Sequence, residues 1–124
     1  MAAITKDKEF SVYAHLTEWT LTTADFTGDP ISYPNAGDKC IQFGGTGEAW
    51  GGATAILQGS NVEQPVLGTD ADWFPLTDPQ GNAISKTALG AEQVMETPLW
   101  IRPKLTGVGV GAVVPVRLLS RRNP

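Results

Sequence analysis

Two runs near the end of the chain decide the fold: residues 99–105, LWIRPKL, and residues 113–119, VVPVRLL. Successive side chains of a strand point to opposite faces. That period sets Leu99, Ile101, Val114, Val116 and Leu118 on one face, and Trp100, Arg102, Pro115 and Arg117 on the other. Apolar inward and mixed outward is the pattern of a half-buried antiparallel strand. Pro103 and Pro115 each remove a ladder donor, so both strands are expected at sheet edges or bulged there. The intervening Gly107-Val108-Gly109-Val110-Gly111 reads as a flexible hairpin tip.

The same grammar runs upstream. In residues 39–43 (KCIQF), Ile41 and Phe43 share one face, Cys40 and Gln42 the other. Residues 53–58 (ATAILQ) form a strong strand ended by Gly59-Ser60-Asn61, and residues 19–23 are rich in β-favouring Trp and Thr. Shorter runs are Ile31-Ser32-Tyr33, closed by Pro34, then residues 73–76 and 84–87. Turn signals separate them: Gly28-Asp29-Pro30, Asn35-Ala36-Gly37-Asp38, and above all Asp78-Pro79-Gln80-Gly81-Asn82. Residues 88–94 (ALGAEQV) carry mild helical character, weakened by Gly90. The count is about eight short strands at sandwich spacing, with no helix long enough for a βαβ unit. The expected fold is all-β, a jelly-roll-like or Greek-key sandwich over residues 16–124. Residues 1–15, with Lys6, Asp7, Lys8 and Glu9 in a run, are expected to form an N-terminal arm that orders on contact.

Composition agrees. The 124 residues suit one domain with one core, and 14 Gly and 9 Pro favour turns over long helices. Net charge is −4, which argues against a nucleic-acid binder. No apolar run reaches the roughly 18 residues of a membrane span. The start Met1-Ala-Ala lacks the pattern of a signal peptide. The single Cys40 forms no internal disulfide and is read as a small buried or semi-buried filler in a protein made in a reducing cytoplasm.

Residues that carry chemistry are scattered. His15 is the only histidine, and no serine or cysteine is marked as its partner. One His and one Cys do not make a zinc set. Asp70 and Asp72 lack the further ligands of a calcium loop and read as a solvated loop. Gly44-Gly45-Thr46-Gly47 lacks the Lys-Ser/Thr of a phosphate loop. The expectation is therefore a protein without catalytic, cofactor or metal residues that works by contact. Its candidate contact residues are Trp50, Trp100, Arg102, Arg117, Arg121 and Arg122. The two tryptophans are read as the best candidates for outward-facing contact residues, and Arg117, Arg121 and Arg122 either as a solvated tail or as one that docks on an acidic partner.

Three phrases in order, residues 53–61 (ATAILQGSN), 73–82 (WFPLTDPQGN) and 96–107 (ETPLWIRPKLTG), resemble small structural proteins of tailed bacteriophages. Within that group they look most like capsid decoration, or cement, proteins of short-tailed phages, over roughly residues 30–119. The resemblance implies a β-sandwich or jelly roll outside an icosahedral shell, clamping neighbouring major capsid subunits. It implies a homo-oligomer, a dimer in preference to a trimer, on a virion assembled in the host cytoplasm. It carries no site residues position by position. Residues 57–61 (LQGSN) followed by Trp73 are also similar to discoidin-type jelly rolls, which bind sugars or lipids, but eleven residues, 62–72, interrupt that match. The alternatives are therefore a carbohydrate-binding module, or another virion part such as a tail or head-completion protein.

Overall fold

The computed structural model describes residues 1–32 and 37–122. The expected strand end at Tyr33-Pro34 and the turn residues Asn35 and Ala36 lie outside them. Among the described residues there is no helix, and nine strands form two antiparallel sheets. The strands are β1 (Ile4–Ser11), β2 (Ala14–Thr22), β3 (Asp38–Phe43), β4 (Thr54–Ser60), β5 (Phe74–Pro75), β6 (Ser85–Lys86), β7 (Gly90–Val94), β8 (Trp100–Thr106) and β9 (Val113–Arg121). The larger sheet has the order β1-β2-β9-β3-β7. In the smaller sheet β4 is central, with β8 along one side and the short β5 and β6 along the other. All named pairings are antiparallel.

The period-2 pattern builds the core. Trp19 and Leu21 of β2, Ile41 and Phe43 of β3, and Val114, Val116 and Leu118 of β9 are buried. They meet Ala55 and Leu57 of β4 and Ile101 and Leu105 of β8 in one apolar cluster. The smaller sheet also brings Leu76 and Ile84 to this cluster.

Several expectations are corrected. Residues 1–15 are not an arm. They supply β1, the Val12-Tyr13 turn and the start of β2, and Ala2 is buried in the core. The Ala2 amide donates to the Thr27 carbonyl (2.8 Å), and its carbonyl accepts from Asp29 (2.8 Å). Residues 90–94 are a strand, because β3 offers a complete antiparallel ladder from Lys39↔Val94 to Phe43↔Gly90. Neighbour pairing overrides a weak helical preference.

Pro115 sits in the central strand of the larger sheet, not at an edge. Its carbonyl accepts from Gly44 (2.8 Å). In an antiparallel strand a residue's amide and carbonyl point to the same neighbour. The missing donor therefore faces the side where β3 has just ended, beyond the last pair Phe43↔Val116. The ladder to β2 loses nothing. Pro103 matches expectation, since β8 pairs with β4 alone as a strand and the Pro103 carbonyl faces Gly28 on the other side (2.9 Å).

The 107–111 segment is not a hairpin tip, because β8 and β9 belong to different sheets. It carries the chain from one sheet to the other and is tied down. The Thr23 hydroxyl donates to the Gly109 carbonyl (2.7 Å), and the Thr23 amide to Ala112 (3.3 Å). The 78–82 turn forms as expected. Asp78 Oδ1 accepts from the Gln80 and Asn82 amides (2.9 and 3.0 Å), and Gly81 takes φ 85°.

Candidate interaction surface

Each sheet has an outer face, and the two are treated differently. On the smaller sheet, the ladder between β4 and β8 places Gln58 opposite Arg102 and Ser60 opposite Trp100. Arg102 therefore does point away from the core, as its alternation requires. Yet it is 1% exposed, so it is not a surface contact residue. Residues 62–72 lie over it.

That loop is held by side-chain donors reaching its backbone carbonyls. Arg102 donates from Nη1 to Leu67 (2.8 Å) and from Nη2 to Thr69 (3.3 Å), while Nε donates to Gln58 Oε1 (2.8 Å). Trp73 Nε1 donates to Val66 (2.9 Å) and Trp100 Nε1 to Glu63 (3.1 Å). Asp70 accepts from Lys104 Nζ (2.9 Å) and from Arg102 (3.2 Å). Asp72 accepts from the Val66 amide (2.8 Å). The two aspartates are thus the acceptors that close the loop, and Asp70 remains exposed to solvent, as expected of a solvated loop. The Lys104 hydrogen bond holds the Asp70 carboxyl below its usual range, with Gln58 and Arg102 adding to it against the cost of burial. Burial lowers the Arg102 pKa, opposed by Asp70. A loop so satisfied has little reason to leave the sheet.

Trp50 and Trp100 are half-buried. Trp50 packs against the core and donates to Glu48 Oε2 (2.8 Å). Both indole N–H groups are engaged within the chain.

At one end of the sandwich the buried Lys39 lies near Glu96, whose carboxylate accepts from the Thr77 amide (2.7 Å) and hydroxyl (2.5 Å). Burial lowers the Lys39 pKa. Burial pushes Glu96 upward, but the Thr77 bonds and Lys39 outweigh it, so its carboxyl lies below the usual range. His15 meets the Asp7 carboxylate on the β1–β2 pair. No group of three or more His, Cys, Asp or Glu side chains among the described residues is placed to hold a metal.

The larger sheet leaves its outer face open. Its strand registers read as rows, because directly opposed residues share a face. One row runs Lys8, Leu16, Leu119, Cys40, Gln93. The next runs Lys6, Glu18, Arg117, Gln42, Ala91. On the other side of the first row Arg121 lies between Ala14 and Asp38. Lys6, Lys8, Asp38, Cys40, Gln93 and Arg121 are exposed, and Leu16, Arg117 and Leu119 are half-buried. Cys40 is therefore not a buried filler; it faces solvent in the middle of the sheet. A depression of about 300 Å³ lies over Asp38, Cys40, Gln93, Leu119 and Arg121.

Two of the anticipated arginines, Arg117 and Arg121, belong to this face, and Arg117 Nε donates to Glu18 (2.8 Å). Arg122 lies at its margin. Its Nε donates to the Val12 carbonyl (2.9 Å), and its guanidinium is 5.6 Å from the Tyr13 ring centre. Phe10, Val12 and Tyr13, all exposed, form an apolar tip at the β1–β2 turn. Residues 4–9 carry one apolar side chain, Ile4, so no period-2 apolar pattern marks the hairpin in the sequence.

No family model, no curated protein and no solved structure matches this chain.

Proposed function

We propose that this chain is a structural virion protein that binds the outside of an assembled phage capsid and stabilises it by clamping neighbouring major capsid subunits. The observation that supports this reading is the asymmetry of the sandwich. One sheet has the Gln58–Arg102 part of its outer face covered by its own loop, while the other presents a broad face with an apolar middle row, Leu16, Leu119 and Cys40, between polar rows. An apolar centre with a charged rim is the anatomy of a protein interface. A decoration protein binds assembled subunits in preference to separated ones, so shell stability follows by mass action. Many copies with modest contacts each suffice.

The test uses Cys40, the only thiol in the chain. A maleimide should label it quickly in the free protein and slowly in purified particles, where copy number from a stained gel should run to hundreds. Equal labelling in both states, or about six to twelve copies, removes shell decoration; the low count points to a tail or head-completion role.

A further inference from the structure

The charge of this chain is divided between its surfaces. The outward strand positions of the larger sheet hold four basic residues, Lys6, Lys8, Arg117 and Arg121, and two acidic ones, Glu18 and Asp38. That face is formally +2 on a chain of net charge −4. The other five basic and eleven acidic side chains make the rest −6. Glu18 is already matched to Arg117. The remaining positive charge stands at the rim of the apolar row, with Lys8 at one end, Lys6 beside it and Arg121 on its other flank.

We infer that the open face of the five-stranded sheet docks on a carboxylate-rich surface of another protein. A second copy in the same orientation does not fit, because two such faces carry like charge and repel. A nucleic acid fits poorly. None of the residues in the rows is aromatic, and the acidic remainder of the chain opposes a polyphosphate. An acidic protein surface meets both features, since the apolar row supplies contact area and Lys6, Lys8 and Arg121 steer and orient the approach. This assignment rests on the reading of the face as an interface and adds the chemistry of its partner.

The experiment uses the full chain and surface-coupled poly-L-glutamate, with double-stranded DNA as a second probe. A uniformly charged protein of net −4 is repelled by polyglutamate, so binding requires a local basic face. Binding is expected, and it should vanish as salt rises from about 0.1 to about 1 M, which shortens the screening length from about 10 to about 3 Å. The Lys8→Glu/Arg121→Glu chain should bind about tenfold or more weakly, and the Lys8→Gln/Arg121→Gln chain should fall between. Glu63→Gln, on the covering loop, should leave binding unchanged. Near-ultraviolet circular dichroism confirms that each variant is folded. No binding by the parent chain, or binding that ignores the reversals, overturns the assignment. Tighter binding to DNA than to polyglutamate also overturns it, in favour of a polyphosphate partner. Low copy number on particles with polyglutamate binding intact removes only the decoration reading; shell decoration without polyglutamate binding removes only this assignment.

Discussion

The guanidinium of Arg102 lies 4.0 Å from the centre of the Trp73 ring, sealed under residues 62–72. The stack joins a β8 residue to the residue that ends the loop, and the forked N–H groups of the arginine take up two loop carbonyls at once. A lysine has no such fork. Together these contacts hold the loop over the Gln58–Arg102 part of the smaller sheet.

Arg102→Met keeps the apolar bulk and removes the donors. The Leu67 and Thr69 carbonyls and Gln58 Oε1 then lose their partner. The expected loss is about 2–4 kcal/mol, reduced where the opened loop regains water. Urea unfolding measures it. Limited proteolysis should find new cleavage within residues 62–72, and Arg102→Lys should resemble Arg102→Met more than the parent.

Acid should loosen the same loop late. The folded Asp70 pKa is depressed, first by the Lys104 hydrogen bond. A depressed carboxyl contributes in full above its unfolded value, about 3.9, and that contribution disappears as pH falls through the folded value. Tryptophan fluorescence should stay flat from about pH 7 to about pH 5 and change only below about pH 4. Asp70→Asn should remove the part of that acid transition belonging to the loop. Glu96, also depressed, contributes to acid unfolding with the same sign, and Glu96→Gln separates it.

Gly59 lies in β4 where neighbours crowd the backbone. A Cβ there would stand 2.7 Å from Leu76 Cδ2 and 2.7 Å from Pro98 Cγ. Gly59→Ala is expected to cost about 1–3 kcal/mol through overpacking. Thermal unfolding checks it, with Gly37→Ala, which meets nothing within 4 Å, as the reference.

Removal of residues 1–15 should not leave an intact domain. It deletes β1, the buried Ala2 and the first two residues of β2, and it uncovers the edge beside Trp19. A fall in melting temperature of at least about 5 °C is expected, equivalent to about 1 kcal/mol in a domain of this size. A truncated chain that melts with the parent would restore the arm.

The edge itself is guarded. Lys6 and Lys8 project from one side of β1 and Asp7 and Glu9 from the other, and register shifts interrupt the pairing at both ends. Antiparallel pairing of two β1 edges would set like charges opposite each other, which blocks strand-to-strand aggregation. Lys8→Val/Glu9→Val should raise the aggregation rate, read by light scattering.

How far the sequence was legible depends on range. Alternation is a property of neighbours two residues apart, so residues 39–43 and 113–119 announced both their strands and the inward side chains Ile41, Phe43, Val114, Val116 and Leu118, and residues 99–105 announced Ile101, while Leu99 precedes β8 and stays outside the core. The Asp78–Asn82 turn was equally local. Pro115 misled because its cost depends on which neighbour its amide faces, and only the position where β3 ends decides that. Gly90 argued against a helix, yet the strand it begins was visible only once β3 lay beside it.

Composition and the period-2 pattern thus determined by themselves that this chain is a stack of pleated strands with a defined inside. Only the tertiary structure decided which outside is open. Arg102 and Arg117 carry the same outward signature in their strands. One is buried because a loop 35 residues away in the chain reaches it; the other meets solvent and Glu18. Cover over a face comes from segments far apart in the chain, and no local period encodes it.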